Sequence, residues 1–543
     1  MSPIATAFLL VGITASALAQ EQLWEVPGPV SSAREWYHTA AFRDYDGDGA
    51  QDLLVAYFVD PQTSPYSTIE ILSGRSGQVL WNLTTWGVME VQDAGDCDGD
   101  GYPDLLMLMV SGVRWPQLWS TRTNSLIWQG INATGSAGVN YGATLLGDVD
   151  LDGDGLNDVI IGSRHPSESI VSAYGPTGTL LWQIDYLAQT RIAYSISKYG
   201  DFNGDGCDDF LLGLLDGSGR GVVAICSGLD GSYLQESFGT QPGNALANHV
   251  KNVGDINGDG VHDYVGFPEY STTVPDAVIF SGADGSALRI WTDFAESVVA
   301  GPDFDLDRDG VPDLIICDNE QVVLNSYGKT RAISGRDGTE LWNVFAQQNV
   351  PGSGVVNGYD GWGRYSTSLG TWPGRAYPSV AWIELGYWMG SNGTGRVRAF
   401  GSEHIGQGPV KGHACSSIGT QPLIGARKTQ AGARITLAKA PPGAFAVLAM
   451  SLQQPATAVG IQVLPLELTP IGMPGCFLQV SPDVVQWRVT GTGPGHDRGY
   501  CYVDLPFQLT GATTGTSAFA QWLAFDLGTL DFAASEVHSL RGQ

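Results

Sequence analysis

At 543 residues the chain is long enough for two or three domains with cores of their own. Its 73 glycines, 10% aromatic content and few charged residues suit an all-β protein with many tight turns better than a helical one. The net charge of −29 excludes nucleic acid as a partner, because no basic stripe is present to neutralise phosphates.

The opening MSPIATAFLLVGITASALAQ reads as a secretory signal peptide over residues 1–19, with an apolar run and an Ala17-Leu18-Ala19 cleavage pattern. No Lys or Arg precedes that run, and the competing reading is an apolar strand. No other apolar run reaches membrane-spanning length. The expectation is a secreted protein, extracellular or at the cell surface, with no transmembrane segment.

Between Asp44 and Asp52 the stretch DYDGDGAQD puts four carboxylates into nine residues, a charge density that repels itself unless something offsets it. The stretch recurs as DCDGDGYPD (Asp96 to Asp104), DLDGDGLND (Asp150 to Asp158) and DFNGDGCDD (Asp201 to Asp209). Then come DINGDGVHD (Asp255 to Asp263) and DLDRDGVPD (Asp305 to Asp313). Their first residues are 52, 54, 51, 54 and 50 positions apart, and a fixed period signals a repeat architecture. The 22 aspartates at these positions hold most of the excess charge; the other acidic residues nearly balance the 27 Lys and Arg.

Each acidic loop leads into a short apolar run, such as LLVAY after Asp52 or LLMLMV after Asp104, which reads as a buried strand. A second strand follows, then a turn of type S-G-x-x-G (73–77, 227–231, 281–285, 334–338). A last strand carries a tryptophan: Trp81, Trp128, Trp182, Trp291 and Trp342. With one strand before the loop, a repeat is a four-stranded antiparallel sheet of about fifty residues, the size of a propeller blade. TWPGRAYPS (Thr371 to Ser379) reads as the loop of a seventh, degenerate blade without carboxylates. That blade lacks a tryptophan strand of its own, and QLWEV at 22–26 is the candidate to close it, hiding the exposed sheet edges. The expected fold is all-β: a seven-bladed β-propeller over 20–402, then a C-terminal β-sandwich over 405–543, where alternating segments are separated by Gly/Pro-rich turns.

Seven cysteines without a CxxC pair make neither a disulfide framework nor a zinc site. The four cysteines of the propeller, each in or next to a strand, read mostly as buried apolar residues. Three lie in the tail, where the expectation is a Cys415–Cys476 bridge stapling the sandwich and a free Cys501, although the sequence leaves three pairings open.

Aspartates at loop positions 1, 3, 5 and 9, with a carbonyl at position 7, form an all-oxygen shell suited to a hard divalent cation, calcium before magnesium. The first half copies the spacing of an EF-hand loop; the second half, with Asp at 9 and flanking strands, does not. Asp-Gly is also ordinary turn chemistry, but six copies in register argue for metal. The period, the D-x-[DN]-G-D-G-x-x-D loop and the following apolar strand resemble FG-GAP/VCBS repeats, as in the integrin α-subunit head. The FG element is partial, with Tyr141-Gly142 and Trp362-Gly363. The resemblance implies a seven-bladed propeller holding up to six Ca2+ in loops on one face. Its implied ligands are Asp44, Asp46, Asp48 and Asp52; Asp96, Asp98, Asp100 and Asp104; Asp150, Asp152, Asp154 and Asp158. The others are Asp201, Asn203, Asp205 and Asp209; Asp255, Asn257, Asp259 and Asp263; Asp305, Asp307, Asp309 and Asp313. Arg308 replaces glycine at position 4 of the last loop, and Asp148 and Asp303 read as solvated extras. The tail, with GMPGCFL and LPFQLTG, looks like a domain found behind such arrays in secreted bacterial proteins.

No G-x-S-x-G, H-E-x-x-H or phosphate-binding glycine loop is present, so no catalytic residue is assigned and the chain is read as non-enzymatic. Opposite the acidic loops, the inferred blades collect Trp36, Tyr37, Trp86, Arg114, Trp115, His165, Tyr270, Trp362, Tyr387 and Trp388. These read either as inter-blade packing or as a face for a sugar or protein partner. The expected function is extracellular binding or adhesion to an unknown protein or glycan. The alternative is a carbohydrate-active enzyme or lectin using the same face.

Overall fold

The computed structural model describes residues 22–27, 36–60, 64–110, 114–130, 141–163, 169–186, 192–239, 249–267, 277–291, 297–318, 329–345, 362–371, 377–384, 396–401, 414–429, 432–451, 458–459, 462–463, 466–480, 482–505 and 517–541. The proposed signal peptide lies outside them. The described residues are strands and turns with two short 3-10 turns, and none forms a helix long and apolar enough to cross a membrane.

Seven four-stranded antiparallel sheets follow one another. In blade one Trp36–Phe42 pairs with Asp52–Asp60, which pairs with Ser64–Leu72, which pairs with Val79–Trp86. The first strands of successive sheets touch in cyclic order, the seventh returning to the first, so the sheets form a propeller-like ring. The alternation of side chains along a strand explains why the second strands read as unbroken apolar runs. From Asp52–Asp60, Leu53, Val55 and Tyr57 pack towards Leu369, Ala381 and Val397 of blade seven, while Leu54 and Ala56 pack towards Val88, Leu105 and Met107 of blade two. Both faces are covered by neighbours. The fourth strand, at the rim, shows the alternating exposure of a half-covered strand.

The repeated tryptophans and glycines meet between blades. Trp182, on blade three's last strand Leu180–Asp185, donates Nε1 to the Gly228 carbonyl in blade four's S-G-x-x-G turn at 2.7 Å. Trp24 does the same to Gly74 of blade one at 2.8 Å. The turn's last glycine, Gly77 or Gly231, has φ of 71° or 72°, and a Cβ there would strike the tryptophan ring of the preceding blade. These rim strands therefore clasp the next blade's turn, as Trp128 of blade two also does against Gly178. In blade four Gln235 and Ser237 take over this part, bonding Ser281, Gly282 and Gly285; in blade five Arg289 bonds Ser334 and Arg336.

Blade seven is built from Trp362–Gly370, Ser379–Glu384 and Arg396–Gly401, with Gln22–Pro27 as its outer strand. Gln22 lies opposite Phe400 and Pro27 opposite Arg396, and buried Arg398 donates Nε to Glu25 at 2.9 Å. Residues 372–376 of its loop lie outside the described residues.

The tail is a sandwich of a three-stranded sheet (Leu423–Thr429, Gly432–Ala438, Cys501–Leu505) and a six-stranded sheet centred on Phe445–Ser451 and Ser517–Phe525. Ile424, Ile435, Leu437 and Val503 face Leu448, Trp522 and Ala524 across the core. Cys415 and Cys476 form a disulfide with Cα atoms 5.5 Å apart, and Cys501 is a buried thiol. The bridge does not cross the two sheets as the sequence reading had it. It ties the edge strand Cys415–Ser416 to a side cluster of Leu468, Met473 and Ala534. Cys97, Cys207 and Cys226 of the propeller are buried.

Candidate metal centres

Every acidic loop lies between the first two strands of its blade and turns through two left-handed residues. Positions 4 and 6 are Gly47 and Gly49 in loop one, with φ of 74° and 88°, a conformation that glycine adopts without steric cost. Loops two to five repeat the pair; in loop six Arg308 holds φ 56° at position 4.

The carboxylates hold the loop through its own amides. In loop two Asp96 accepts the Asp100 and Gly101 amides at 3.0 and 2.9 Å, Asp98 Oδ1 accepts Asp100 at 3.2 Å, and Asp100 Oδ1 accepts Tyr102 at 3.0 Å. Asp100 Oδ2 and Asp104 Oδ1 remain buried without a hydrogen-bond partner, and so does Asp158 Oδ1 in loop three. Buried carboxylate oxygens without donors are costly unless a cation meets them. One oxygen each from Asp44, Asp46 and Asp48 lies within 4.8 Å of the others; the same holds for Asp96, Asp98 and Asp104, for Asp150, Asp152 and Asp158, and for Asp305, Asp307 and Asp313. Asp52, Asp100, Asp154 and Asp309 stand outside these groups. In loops four and five the position-3 amides, Asn203 and Asn257, donate Nδ2 to Asp205 and Asp259 at 2.9 and 2.8 Å, and among the described residues these loops form no such acidic trio. These all-oxygen donors and orphaned oxygens fit a hard divalent cation.

The position-9 aspartates, all fully buried, have a second role that the sequence did not reveal. Asp209 Oδ2 accepts the Phe202 and Asn203 amides at 2.8 and 3.3 Å, while Oδ1 accepts the Gly228 amide at 3.0 Å. Asp52, Asp263 and Asp313 likewise bond Gly74, Gly282 and Gly335. The S-G glycine thus ties its turn to the acidic loop, and a Cβ on it would collide with the position-8 carbonyl. Blades two and three break the rule. Thr121 and Pro176 stand where the glycine would be, and proline has no amide hydrogen to give. Those are the blades whose Asp104 and Asp158 keep an orphaned oxygen. The only trace of this in the sequence is the recurrence of S-G itself.

Burial is the main cause that pushes the Asp52 and Asp263 carboxyls up to about 6 and those of Asp104 and Asp158 up to about 7. Neighbouring loops are also joined. The Asp96 amide donates to Asn157 Oδ1 at 2.9 Å, and the Asp150 amide donates to Asp208 Oδ2 at 3.1 Å. Asp148, expected to be solvated, instead pairs with Arg43, while Asp303 is exposed.

These bonds predict different costs for one substitution. Asp209→Ala orphans the buried Gly228 amide at about 1–3 kcal/mol and removes the acceptor of the part-buried Phe202 and Asn203 amides, so roughly 2 kcal/mol or more should be lost even in chelator. Asp158→Ala, with one amide bond to Leu151, should cost less in chelator and show its main effect only in calcium. Denaturant unfolding of both variants with and without chelator checks the order.

On the opposite side Trp86 and Tyr66 are 44% and 46% exposed, with ring centroids 5.5 Å apart, edge to face. Arg114 and Trp115, at the start of blade two's strand Arg114–Ser120, are half-buried. The side chains of Trp36, Tyr37 and Trp362, and residues His165, Tyr270, Tyr387 and Trp388, lie outside the described residues. On blade two's first strand Val88–Gly95, burial pushes the Glu90 carboxyl up to about 7, against the pull of Arg114.

Residues 150–212, which span loops three and four, match the FG-GAP-like repeat family. Integrin alpha-PS2 of Drosophila melanogaster is 31% identical over 190 residues, covering 31% of this chain and 13% of that protein. Among solved structures, the crystal structure of the rhamnogalacturonan lyase YesW aligns with a TM-score of 0.35 and 14% identity, over 60% of this chain and 61% of that one. Residues 150–212 thus match an FG-GAP-like repeat, and the same acidic loop recurs between the first two strands of the other five acidic blades.

Proposed function

We propose that the protein is a calcium-stabilised, non-enzymatic propeller of the cell exterior, of the secreted bacterial type, that binds a protein or glycan partner. The observation that supports it is how the acidic loops use their carboxylates. They close the loop on itself and on the neighbouring turn, which leaves little room for a position that activates water. Calcium in such loops offsets charge and fixes the link between the two inner strands of a blade. The exposed Trp86–Tyr66 pair supplies an apolar platform of the kind on which sugar rings or protein loops settle.

One observation favours the carbohydrate-active alternative: Glu90, with its carboxyl at about 7, lies close to Arg114 on the same side as Trp86. A glycan array probed with the purified protein separates the two. The expected result is retention on particular glycans that remain intact, weakened at least tenfold by Trp86→Ala at unchanged calcium content. Release of new chain ends, abolished by Glu90→Gln, would sink the binding reading and establish the enzyme.

A further inference from the structure

The sixth acidic loop differs from the others in what covers it. Asp307 and Asp309 are each 1% exposed, whereas Asp44 and Asp46 of loop one are open to solvent. The cover is the tail sandwich. Arg427, buried in the tail strand Leu423–Thr429, donates Nη1 to Asp307 Oδ2 at 3.3 Å and grips Asp337 with both Nη1 and Nη2. Arg336, from blade six's S-G-x-x-G turn, donates Nε to Asp309 Oδ2 at 2.8 Å and Nη2 to the Asp309 carbonyl at 3.0 Å. The same guanidinium reaches the tail, bonding Asp497 at 3.0 Å and lying 3.7 Å from the centroid of the Tyr500 ring.

The backbones also touch. A Cβ on Gly425 would collide with the Asp307 carbonyl, so the tail strand lies directly on the loop. Arg308, where the other five loops have glycine, pairs with Glu536 of the tail at 3.4 Å. Among the described residues, no guanidinium bonds a position-3 or position-5 carboxylate in the other five loops.

Two guanidinium groups bring the charge of one divalent cation, in charge-assisted hydrogen bonds of fixed geometry. We infer that the sixth loop is a socket for the tail domain, in which Arg427 and Arg336 stand in for the cation that the other five loops take. The inference rests on the calcium reading of those five. Asp305, Asp307 and Asp313 still bring oxygens within 4.8 Å of one another. A divalent ion added there would nevertheless meet the like charge of Arg427 with little water to screen it.

The test counts calcium bound to the full chain by native mass spectrometry and follows release of the tail by limited proteolysis, both in saturating calcium. The wild type should hold at most five ions, Asp152→Ala in loop three one fewer, and Asp307→Ala the same number as the wild type. Arg427→Ala should release the tail at least tenfold faster. A wild-type count of six overturns the inference without recourse to a variant. Loss of one ion in Asp307→Ala, or unchanged tail release in Arg427→Ala, overturns it too. Should every form hold no calcium, the metal reading of the repeat fails, and proteolysis alone then decides: accelerated release sustains the socket, unchanged release removes it.

Discussion

Exhaustive chelation at pH 7.5 is expected to lower the melting temperature by about 10 °C or more and to raise protease sensitivity across the ring. A ligand that binds only the folded state contributes about 2.7 kcal/mol per site at a hundredfold excess over its dissociation constant, and several loops add their shares. The pH dependence gives this result a signature. In the metal-free protein Asp52, Asp104, Asp158 and Asp263 titrate at about 6 to 7 because they are buried, above the usual carboxylate value near 4. Between those values the folded chain holds protons that the unfolded chain has lost. Their contribution is complete below about pH 4 and disappears as pH rises through 6 to 7. The chelated protein should therefore be more stable at pH 5 than at pH 7.5. Calcium needs the same carboxylates deprotonated, so its stabilisation should grow over that window and its binding should release protons. Carboxyls held low by hydrogen bonds, such as Asp216 and Asp230, titrate below the window and leave the sign unchanged. Melting curves at both pH values, with and without chelator, check the crossing. If chelation moved nothing at pH 7.5, the loops would be decorated turns.

Deleting residues 20–27 is expected to be the most damaging change away from the acidic loops. It removes the outer strand of blade seven, exposes the ladder edge of Arg396–Gly401, and leaves Arg398 buried without Glu25. The truncated chain should aggregate or melt well below the intact one. Trp24→Ala isolates one part of that effect. Its ring is 9% exposed, its Nε1 bonds Gly74, and its loss should cost about 3–5 kcal/mol. A monomeric truncation with an unchanged melting curve, seen by light scattering and calorimetry, would show that the strand does not hold the ring.

The blades could be read from the sequence because each rests on a pattern within some fifty residues. Leu53 to Tyr57 form an apolar run because each face of that strand meets a neighbouring blade, and Trp24, Trp128 and Trp182 recur because each ring packs on a glycine of the next blade's turn. The acidic loops were visible for the same reason, being local in sequence and repeated in register. What stayed hidden depends on contacts between separate segments. The S-G glycines looked like ordinary turn residues, yet Gly228 closes on Asp209, nineteen residues earlier, and only folding brings them together. Arg427 meets Asp307 across 120 residues, and the one sign of it in the repeat is arginine for glycine at 308. The Cys415–Cys476 bridge was one of three pairings the sequence left open, and its setting was hidden because Cys476 belongs to a side cluster that no periodicity marks.

The pairing of Gln22–Pro27 with Arg396–Gly401 also sets how the ring responds to force. The strands are antiparallel, with Gln22 beside Phe400, so the chain enters and leaves the ring at the same end of one ladder. Tension between a tether at the N-terminus and a load on the tail would bear on that end's hydrogen bonds one after another, as a zipper is opened, instead of on all of them together in shear. The tail's grip on the sixth loop is a second path for the same load: while Arg427 and Arg336 hold, tension reaches blade six before it reaches the seam.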